Sequence, residues 1–369
     1  MTLGVDVSRL QGPRTGVGRY VEYLVRAWAD QPLPFERLRL FSREPIPDLP
    51  ADERLVPRVL PSRWGGIAWQ LTRLAPAARH ETALLSFYTL PPRRRPPSVV
   101  INQGILVGTY AETASVRARA RAAHIGWSAR NADLVVTHSQ TTRDDLAHHF
   151  GVDEANVRTL KPGLASIFRA PVVDGGPRRE RPYFLFVGKL APRRHVPELI
   201  EAFAGVVAAE PEYRLLLVGP SSLDEPVETL ARRAGVERNV ERMPYLDLEE
   251  LAVLYRGARA LVWPSEREGF GHPILEAMGC GCPVAVLDGA ALGVLDWASK
   301  RGDRSAVLGI PSAEPDELRE ALLRLVEDDD LHTSLATRGR AYAATFPTWE
   351  EHAAELMAII GSFAETAAR

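Results

Sequence analysis

Short, continuously apolar runs alternate along the whole chain with segments of helix length. Continuous rather than alternating apolar runs are typical of parallel strands that are buried on both faces of a sheet. Helices between such strands imply βαβ units and doubly wound parallel sheets, so the chain is predicted to have an α/β fold. The predicted strands are LGVDV (3–7), LRLFS (38–42), ALLSF (83–87), SVVIN (98–102), DLVVTHS (133–139), YFLFVG (183–188), YRLLLVG (213–219), ARALVW (258–263) and PVAVL (283–287).

The segment 170–182, APVVDGGPRRERP, interrupts this pattern and is rich in proline, glycine and charge. It is predicted to be a linker between an N-terminal Rossmann-like domain (1–169) and a C-terminal Rossmann-like domain (183–347). Residues 348–369 are predicted to form a terminal helix. Two such domains form a cleft, and ligands of open α/β sheets bind at the carboxyl ends of the strands.

Charge separates the two halves of the chain, although the net charge is only −2 and argues against general nucleic-acid binding. Residues 1–169 hold 23 Lys and Arg against 15 Asp and Glu, a net of +8, and the remainder has a net of −10. This asymmetry has two interpretations. Either the first half binds an anionic partner, or a GC-biased gene encodes many arginines, which lie on solvated helix faces.

Two further features bear on location and metal binding. No apolar stretch is long enough to span a bilayer, and the opening MTLGVDVSRL has no signal-peptide pattern, so we expect a cytoplasmic protein. Cys280 and Cys282 are the only cysteines, and no second pair completes a zinc site. We therefore expect no metal and two small side chains packed under a helix end.

The most informative stretch is 264–279, PSEREGFGHPILEAMG, which follows a predicted strand. Gly269 and Gly271 predict a loop whose backbone can approach a ligand closely. Pro273 suits the first position of a helix, whose unpaired N–H groups favour anionic or hydroxyl-rich ligands. Glu268 precedes the loop and Glu276 lies one turn into the helix, so both carboxylates could hold the diols of one ligand.

The stretch EGFGHPILEAMGCGCPV resembles the two-glutamate signature of the family 4 glycosyltransferases, including the seven residues between Glu268 and Glu276. The resemblance implies that Glu276 binds the nucleotide ribose and that Glu268 binds hydroxyls of the donor sugar. It also implies that the intervening loop lines the sugar, through Gly269, Phe270, Gly271, His272 and Pro273. The alternative is a glycine-rich turn with solvated acids.

A second motif follows the strand YFLFVG and reads Lys189-Leu-Ala-Pro-Arg-Arg194. It resembles the family's diphosphate-binding stretch with the two basic residue types exchanged, so Lys189 and Arg194 are expected to neutralise the leaving diphosphate. Lys189 is one of only three lysines beside 42 arginines. The alternative is a pair of solvated basic residues on a loop.

Three weaker candidates complete the predicted donor site. The segment ERNVERMPYLDLEELAVLYRGARALVWPS resembles the part of the family that contacts the base, which makes Tyr245 a candidate for the base pocket. A tyrosine packed at a strand end is the alternative. The opening GVDVSRLQGPRTGVGRY resembles the family's first glycine loop, in which Gly16 and Gly18 would let the backbone approach the diphosphate or the acceptor.

The chain departs from the family after the strand SVVIN, where members usually carry a His-Asp pair. Here Gln103 and Gly104 follow Asn102. In the family that histidine touches the donor sugar near the anomeric centre. Glutamine can donate one hydrogen bond there but cannot carry a positive charge, so the donor, the rate or the presence of activity could differ.

Segments 63–79 and 117–130 mix arginines with aromatic and aliphatic residues. Basic helices of this kind can lie on anionic membranes, as the acceptor domains of some family members do. One expectation is therefore peripheral contact of the basic N-terminal domain with the inner membrane face. Ordinary amphipathic surface helices are the alternative, and Gly65-Gly66 and Pro76 weaken the first segment as a helix.

Together the resemblance implies a GT-B fold, two Rossmann-like domains facing a central cleft, in a bacterial, metal-independent enzyme. It also implies that domain 1–169 binds the acceptor and that domain 183–347 binds the nucleotide sugar. The implied reaction is transfer of a hexose, with retention, from a GDP-mannose or UDP-glucose type donor to a hydroxyl acceptor of a polysaccharide, glycolipid or natural product. No cofactor is expected beyond the nucleotide sugar as co-substrate. A sugar-nucleotide epimerase, a pseudo-glycosyltransferase and a non-catalytic nucleotide-sugar-binding protein remain as alternatives.

Overall fold

The computed structural model describes residues 1–11, 16–92, 95–104, 116–169, 181–298 and 304–368. The chain divides into two compact units, Met1–Gly163 with Pro347–Arg369 and Leu164–Phe346. The boundary between the two units lies a few residues before the predicted end of the N-terminal domain, because Leu164 and Phe168 are buried in the core of the second unit. Residues 170–180 of the predicted linker lie outside the described residues.

The first unit contains a seven-stranded parallel sheet with the strand order β3-β2-β1-β4-β5-β6-β7. Every residue of β4, β5 and β6 is buried, as expected of strands covered on both faces. The strands are β1 (Thr2–Asp6), β2 (Arg37–Ser42), β3 (Leu55–Val59), β4 (Ala83–Phe87), β5 (Ser98–Asn102), β6 (Leu134–Thr137) and β7 (Val157–Thr159).

The helices of the first unit connect these parallel strands. They are α1 (Val17–Ala29), α2 (Gly66–Trp69), α3 (Ala75–Ala78), α4 (Val116–Asn131) and α5 (Gln140–Phe150). A π-helical turn, Gln70–Leu74, joins α2 to α3. The expectation that Gly65-Gly66 and Pro76 would weaken a helix here was wrong for residues 66–78. Gly66 begins the helical stretch, and Pro76 lies in the first turn of α3, where a proline is tolerated.

The C-terminal helix α12 (Trp349–Ala368) belongs to the first unit, although the preceding residues belong to the second. The Trp349 ring stacks on the Tyr23 ring of α1 with centroids 4.4 Å apart. The Nε2 atom of His352 lies 2.8 Å from the hydroxyl of Tyr20, and its Nδ1 atom lies 2.7 Å from the carbonyl oxygen of Lys161. An aromatic and hydrogen-bonded contact therefore fixes the terminal helix on α1.

The second unit contains a six-stranded parallel sheet with the order β10-β9-β8-β11-β13-β15, and a separate two-stranded pair β12-β14. The strands are β8 (Tyr183–Val187), β9 (Arg214–Val218), β10 (Val240–Met243), β11 (Ala260–Trp263), β12 (Arg267–Glu268), β13 (Val284–Leu287), β14 (Ala291–Leu292) and β15 (Leu308–Ile310). The helices are α6 (Val196–Ala209), α7 (Val227–Arg233), α8 (Leu248–Gly257), α9 (His272–Gly279), α10 (Pro315–Glu327) and α11 (Asp329–Ala343).

All nine apolar runs singled out in the sequence coincide with strands, and the predicted doubly wound α/β class is confirmed for both units. β8 and β11 are neighbours in the second sheet. Because the two strands are parallel, the loops that follow them lie at the same edge of the sheet. These are the loops that carry the Lys189–Arg194 motif and the Glu268 motif.

Candidate active site

Glu268 is the centre of a buried ion-pair cluster in the second unit. Only 7% of the residue is exposed. Its Oε1 atom accepts hydrogen bonds from Arg193 Nη1 at 2.6 Å and from Arg194 Nε at 2.9 Å. The Ser265 hydroxyl donates to the same oxygen at 2.9 Å, and Arg193 Nη2 lies 3.3 Å from Oε2. The carboxylate is therefore charged, oriented and held mainly through one oxygen.

The pKa of Glu268 shows which electrostatic effect dominates. Burial alone would raise this pKa, because a desolvated carboxylate disfavours its charged form. The attraction of Arg194 and Arg193, with their hydrogen bonds, outweighs burial and holds the pKa below its ordinary value. The carboxylate is therefore ionised at neutral pH.

Arg194 contacts Glu268, the Lys189 backbone and the Trp263 ring. Its Nη1 donates to the carbonyl oxygen of Lys189 at 2.9 Å, and its guanidinium lies 4.7 Å from the centroid of the Trp263 ring. Gly188 has a φ of +146°, and a Cβ built on it would lie 2.6 Å from Arg194 Nη1, so only glycine fits there. Burial lowers the pKa of Arg194, and Glu268 opposes that shift.

Arg193 is a member of the cluster that the sequence analysis missed. Besides Glu268, its Nη1 atom contacts the Ser265 hydroxyl and the Arg267 carbonyl oxygen, both at 2.9 Å. Both arginines belong to the 3-10 turn Pro192–Arg194, which ends at His195 with a φ of +46°. The sequence signal for Arg193 was its position next to Arg194. Two adjacent arginines do not by themselves indicate that both side chains point into the protein.

The loop from Glu268 to α9 is fixed at several points. Glu268 pairs with Leu292 in β14, and the Val294 N–H donates to the Phe270 carbonyl oxygen at 2.7 Å. Phe270 is 3% exposed and packs edge-on against Phe346. The ring of Phe270 therefore packs in the hydrophobic core, whereas its backbone forms part of the loop.

Helix α9 begins as the sequence predicted. Gly271 precedes it with a φ of +99°, and Pro273 lies in its first turn. Proline carries no N–H, so the backbone donors that the motif offers to a ligand end at His272. Glu276 is half-buried, and its Oε2 accepts a hydrogen bond from the hydroxyl of fully buried Tyr255 at 3.0 Å.

The two remaining candidates of the second unit lie at its surface. The Lys189 side chain is exposed at the end of the loop that holds Arg194. Tyr245 is 46% exposed between β10 and α8, so the alternative of a packed strand-end tyrosine does not hold.

The candidates of the first unit lie at the start of α1, within α1 and directly after β5. Gly16 has a φ of +51° immediately before α1, whereas Gly18 is buried within that helix, so the expectation that Gly18 belongs to a glycine loop was wrong. Gln103 follows β5 directly, so the strand ends where the sequence placed it. The Nε2 atom of Gln103 is buried and has no hydrogen-bond partner among the described residues. Gly104 donates its N–H to the Asn102 side chain at 3.1 Å.

The structure thus brings Arg194 and Glu268 into direct contact and places Lys189 in the same loop as Arg194. Gly16, Gly18 and Gln103 belong to the first unit. Cys280 and Cys282 are buried free thiols. Within the described ranges, no group of three His, Cys, Asp or Glu side chains could hold a metal ion, and no helix could cross a membrane.

Two family models match successive parts of this chain. The model for Glycosyltransferase Family 4 matches residues 14–165, and the model for glycosyl transferases group 1 matches residues 173–342. Each model matches less than half of the chain, and together the two matches support the expected family, the family 4 glycosyltransferases. The expected α/β fold class of the two units is confirmed, whereas the retaining mechanism and the roles of the two glutamates are not tested by these matches.

Curated relatives are glycosyltransferases as well. The chain is 27% identical over 244 residues to D-inositol 3-phosphate glycosyltransferase of Corynebacterium glutamicum, covering 62% of this chain and 57% of that protein. It is 29% identical over 232 residues to O-antigen chain mannosyltransferase B of Escherichia coli, covering 60% and 58%. The matches therefore span little more than half the length of these relatives.

Solved structures share the fold over almost the whole chain. Sucrose-phosphate synthase of Thermosynechococcus elongatus has a TM-score of 0.77 at 21% identity, with 98% of each chain covered. WaaG, a glycosyltransferase of lipopolysaccharide biosynthesis, has a TM-score of 0.74 at 18% identity and covers 98% of this chain and 99% of its own. HepE of Anabaena, solved with UDP-glucose, has a TM-score of 0.73 at 17% identity with the same coverage.

Proposed function

We propose that this protein is a retaining hexosyltransferase that uses a nucleoside diphosphate sugar. The observation that carries the proposal is the ionised Glu268, locked by Arg193 and Arg194 directly before a glycine loop and a helix N-terminus. A buried carboxylate with two buried guanidinium groups is costly to assemble and is typical of a functional site. The matches to two glycosyltransferase family models support the reaction class.

Glu276 is proposed to bind the ribose of the donor. Its carboxylate is half-buried on α9, and the Tyr255 hydroxyl orients it from the core side. A carboxylate accepts hydrogen bonds from both hydroxyls of a vicinal diol. Tyr245, which is 46% exposed, is proposed to contact the base.

Lys189 and Arg194 are proposed to stabilise the departing diphosphate. Arg194 is fixed by Glu268 and by the Lys189 carbonyl oxygen, so its charge needs no reorganisation when negative charge develops. The exposed Lys189 side chain supplies a second positive charge from the same loop. In the first unit, Gly16 is proposed to allow close backbone approach to the diphosphate or the acceptor.

Glu268 is proposed to orient the sugar. Three donors hold Oε1, whereas Oε2 has one long contact to Arg193, so Oε2 is the oxygen that is proposed to accept from a sugar hydroxyl. The N–H groups from Gly269 to His272 are proposed to line the same sugar. The Gln103 amide, whose Nε2 has no partner in the part of the chain that the structure describes, is proposed to donate to the sugar in place of the family's histidine.

The proposed reaction breaks the bond between the anomeric carbon and the β-phosphate oxygen. The acceptor oxygen forms its bond to the same face of that carbon, and the acceptor proton passes to the leaving phosphate oxygen. The step balances without a metal ion or a protein base, and the chain contributes positioning and charge stabilisation. An epimerase or pseudo-glycosyltransferase remains a second candidate, because Gln103 stands where the family carries histidine.

The donor panel that tests the proposal follows from the named relatives. Thermal unfolding is measured with UDP, GDP, UDP-glucose and GDP-mannose for the wild type, Glu276→Gln and the surface control Glu249→Gln. A ligand that binds only the native state raises Tm. One nucleotide sugar should stabilise the wild type and Glu249→Gln but not Glu276→Gln. Transfer to water or to an added alcohol, with product anomers assigned by NMR, then separates retention from epimerisation. Absence of any nucleotide effect would exclude the function.

Peripheral membrane contact of a cytoplasmic protein is a further proposal. The α4 helix exposes Arg119, Arg121 and Arg130, and Val116 at its start is 73% exposed. Basic faces bind anionic lipid surfaces by electrostatic attraction. The protein should sediment with phosphatidylglycerol vesicles and not with phosphatidylcholine vesicles, and Arg119→Gln/Arg121→Gln should reduce sedimentation. Equal binding to both vesicles would contradict the proposal.

A further inference from the structure

His195 lies where the Lys189–Arg194 motif passes into helix α6. Its N–H donates to the Pro192 carbonyl oxygen at 3.0 Å, and its own carbonyl oxygen accepts the Leu199 N–H at 2.9 Å. It therefore ends the 3-10 turn of that motif and begins the helix that follows. Any rotation of this residue would move both arginines of the turn.

The backbone of His195 is left-handed, with a φ of +46° and a ψ of +41°. Residues with a Cβ adopt this conformation at an energetic cost, whereas glycine adopts it freely. The second unit uses glycine for the left-handed residue before α9, where Gly271 has a φ of +99°. A histidine in the same place before α6 is strained, and observed strain of this kind directs attention to what the side chain contacts.

The imidazole of His195 lies between two carboxylates. Its Nε2 atom is 2.9 Å from Glu266 Oε1, and its Nδ1 atom is 3.6 Å from Glu198 Oε1. Because an ionised carboxylate can only accept, the Nε2–H group donates to Glu266. Glu198 belongs to the first turn of α6, whereas Glu266 belongs to the loop after β11. Of the two contacts, only the one with Glu266 joins separate loops.

The loop after β8 and the loop after β11 are thus joined twice. The inner contact is the buried pairing of Arg193 and Arg194 with Glu268. The outer contact is the hydrogen bond between His195 and Glu266, whose side chains are 20% and 50% exposed. The Glu266 backbone is fixed as well, since its carbonyl oxygen accepts an N–H from the start of β14 at 3.0 Å. Neither member of the outer contact is assigned a contact with the donor.

The inner contact has to change when the proposed donor binds. Arg194 is proposed to act on the diphosphate and Glu268 on a sugar hydroxyl, so the ligand competes for the same atoms that join the loops. Groups that stabilise developing charge act best when they need no reorganisation, and a displacement of about 1 Å can lower a rate on the order of 100-fold. A second contact away from the ligand keeps the two loops in register.

We propose that His195 is a positioning residue whose hydrogen bond to Glu266 fixes the loop of Arg194 against the loop of Glu268 during the reaction. This role rests on the proposed glycosyltransferase function. His195 acts through the orientation of Arg194 and Glu268, so its loss lowers kcat more than it changes KM.

Three substitutions of His195 separate its side chain from its backbone. Glutamine places an amide N–H near the position of Nε2 and keeps a donor for Glu266, whereas asparagine is too short to reach it and glycine has no donor. Asparagine and glycine suit a left-handed backbone better than glutamine does. A side-chain role therefore predicts higher activity in His195→Gln than in His195→Asn and His195→Gly, and a role of the backbone alone predicts the reverse order.

The measured rate is the release of UDP from UDP-glucose or of GDP from GDP-mannose, whichever the wild type turns over. His195→Gln should keep kcat within about threefold of the wild type, whereas His195→Asn, His195→Gly and Glu266→Ala should lower it about tenfold with KM changed less than about threefold. The double variant His195→Gly/Glu266→Ala should lose no more than either single variant, because both remove the same contact. Glu198→Ala is the matched control, since it removes the carboxylate within α6, and it should keep the wild-type kcat. Thermal unfolding checks that each variant is folded.

A wild-type kcat in His195→Gly, a lower kcat in His195→Gln than in His195→Gly, or additive losses in the double variant would overturn the inference. Failure of the proposed function has a different signature, because the wild type then releases neither nucleotide. Amide hydrogen exchange of peptides spanning 188–195 and 264–272 needs no turnover and tests the contact in that case. Faster exchange of both peptides in His195→Gly, but not in His195→Gln or Glu198→Ala, would retain His195 as the link between the loops without a role in transfer. Wild-type exchange in every variant would overturn the link itself.

Discussion

Arg193 Nη1 and Glu268 Oε1 lie 2.6 Å apart inside the second unit, with 13% and 9% of their side chains exposed. Arg194 pairs with the same carboxylate oxygen at 2.9 Å, so one negative charge holds two adjacent positive charges. The cluster joins the loop after β8 to the loop after β11. Its charge balance therefore controls both the local stability and the orientation of the proposed diphosphate-binding group.

Replacement of Glu268 by alanine should destabilise the protein strongly. It leaves Arg193 and Arg194 buried without their counter-charge, and removal of one partner of a buried pair costs about 3–5 kcal/mol. We expect a loss of about 3 kcal/mol in the free energy of unfolding, measured by urea denaturation of the second-unit transition. The exposed Glu249→Ala should change it little. Equal effects of the two variants would show that the cluster contributes no stability.

Nucleotide affinity should depend on Glu276 and, to a smaller extent, on Tyr255. Glu276→Ala should weaken binding of the stabilising nucleotide at least tenfold, because both ribose hydroxyls lose their acceptor, and tenfold corresponds to about 1.4 kcal/mol. Tyr255→Phe keeps the carboxylate but removes the hydrogen bond to its Oε2, so we expect a loss of about threefold. Calorimetry measures both. Wild-type affinity in Glu276→Ala would remove the ribose assignment.

The sequence was sufficient for the parallel sheets because their central strands are buried on both faces and carry unbroken apolar runs. It was insufficient at the edges, where β3 carries exposed Pro57 and Arg58 and β10 reads VERM. The two-residue strand β12, which fixes Glu268, is too short to have any periodicity. Such elements are set by tertiary contacts.

The same limit applies to the site. The spacing of Glu268 and Glu276 located the motif, and Pro273 located the helix start. The inward direction of Arg193 depends on a 3-10 turn and on the positive φ of His195, which no local pattern encodes. The C-terminal helix docks on Tyr20 and Tyr23 through His352 and Trp349, which lie more than 300 positions further along the chain. Contacts of that sequence separation leave no local signature.

Lys189 should affect turnover more strongly than it affects donor binding. Its exposed charge is proposed to act on the diphosphate as negative charge develops, so Lys189→Ala should lower kcat about 100-fold, as loss of one transition-state donor does, with little change in KM. Lys189→Arg keeps a positive charge and should restore most of the rate. Steady-state kinetics with the identified donor give both constants. An unchanged kcat in Lys189→Ala, or an equal loss in Lys189→Arg, would contradict a charge-based role.

Acid should destabilise the first unit through His138. This residue is fully buried beside Tyr20 and His352, its Nδ1 lies 3.1 Å from the Leu160 carbonyl oxygen, and burial lowers its pKa to about 4. The unfolded chain, with an ordinary histidine pKa of about 6.5, binds the proton first, so stability falls as pH drops from about 6.5 towards 4.

The difference between the unfolded and folded pKa values of His138 corresponds to about 3 kcal/mol in the free energy of unfolding between pH 6.5 and pH 4. This contribution should be absent in His138→Gln. Urea denaturation at pH 7.0, 5.5 and 4.5 measures the slope, which is independent of any uniform loss of stability in the variant. The exposed His80→Gln should keep the wild-type slope. If His138→Gln loses stability as steeply as the wild type over this range, then other buried groups, and not His138, set the acid sensitivity of the first unit.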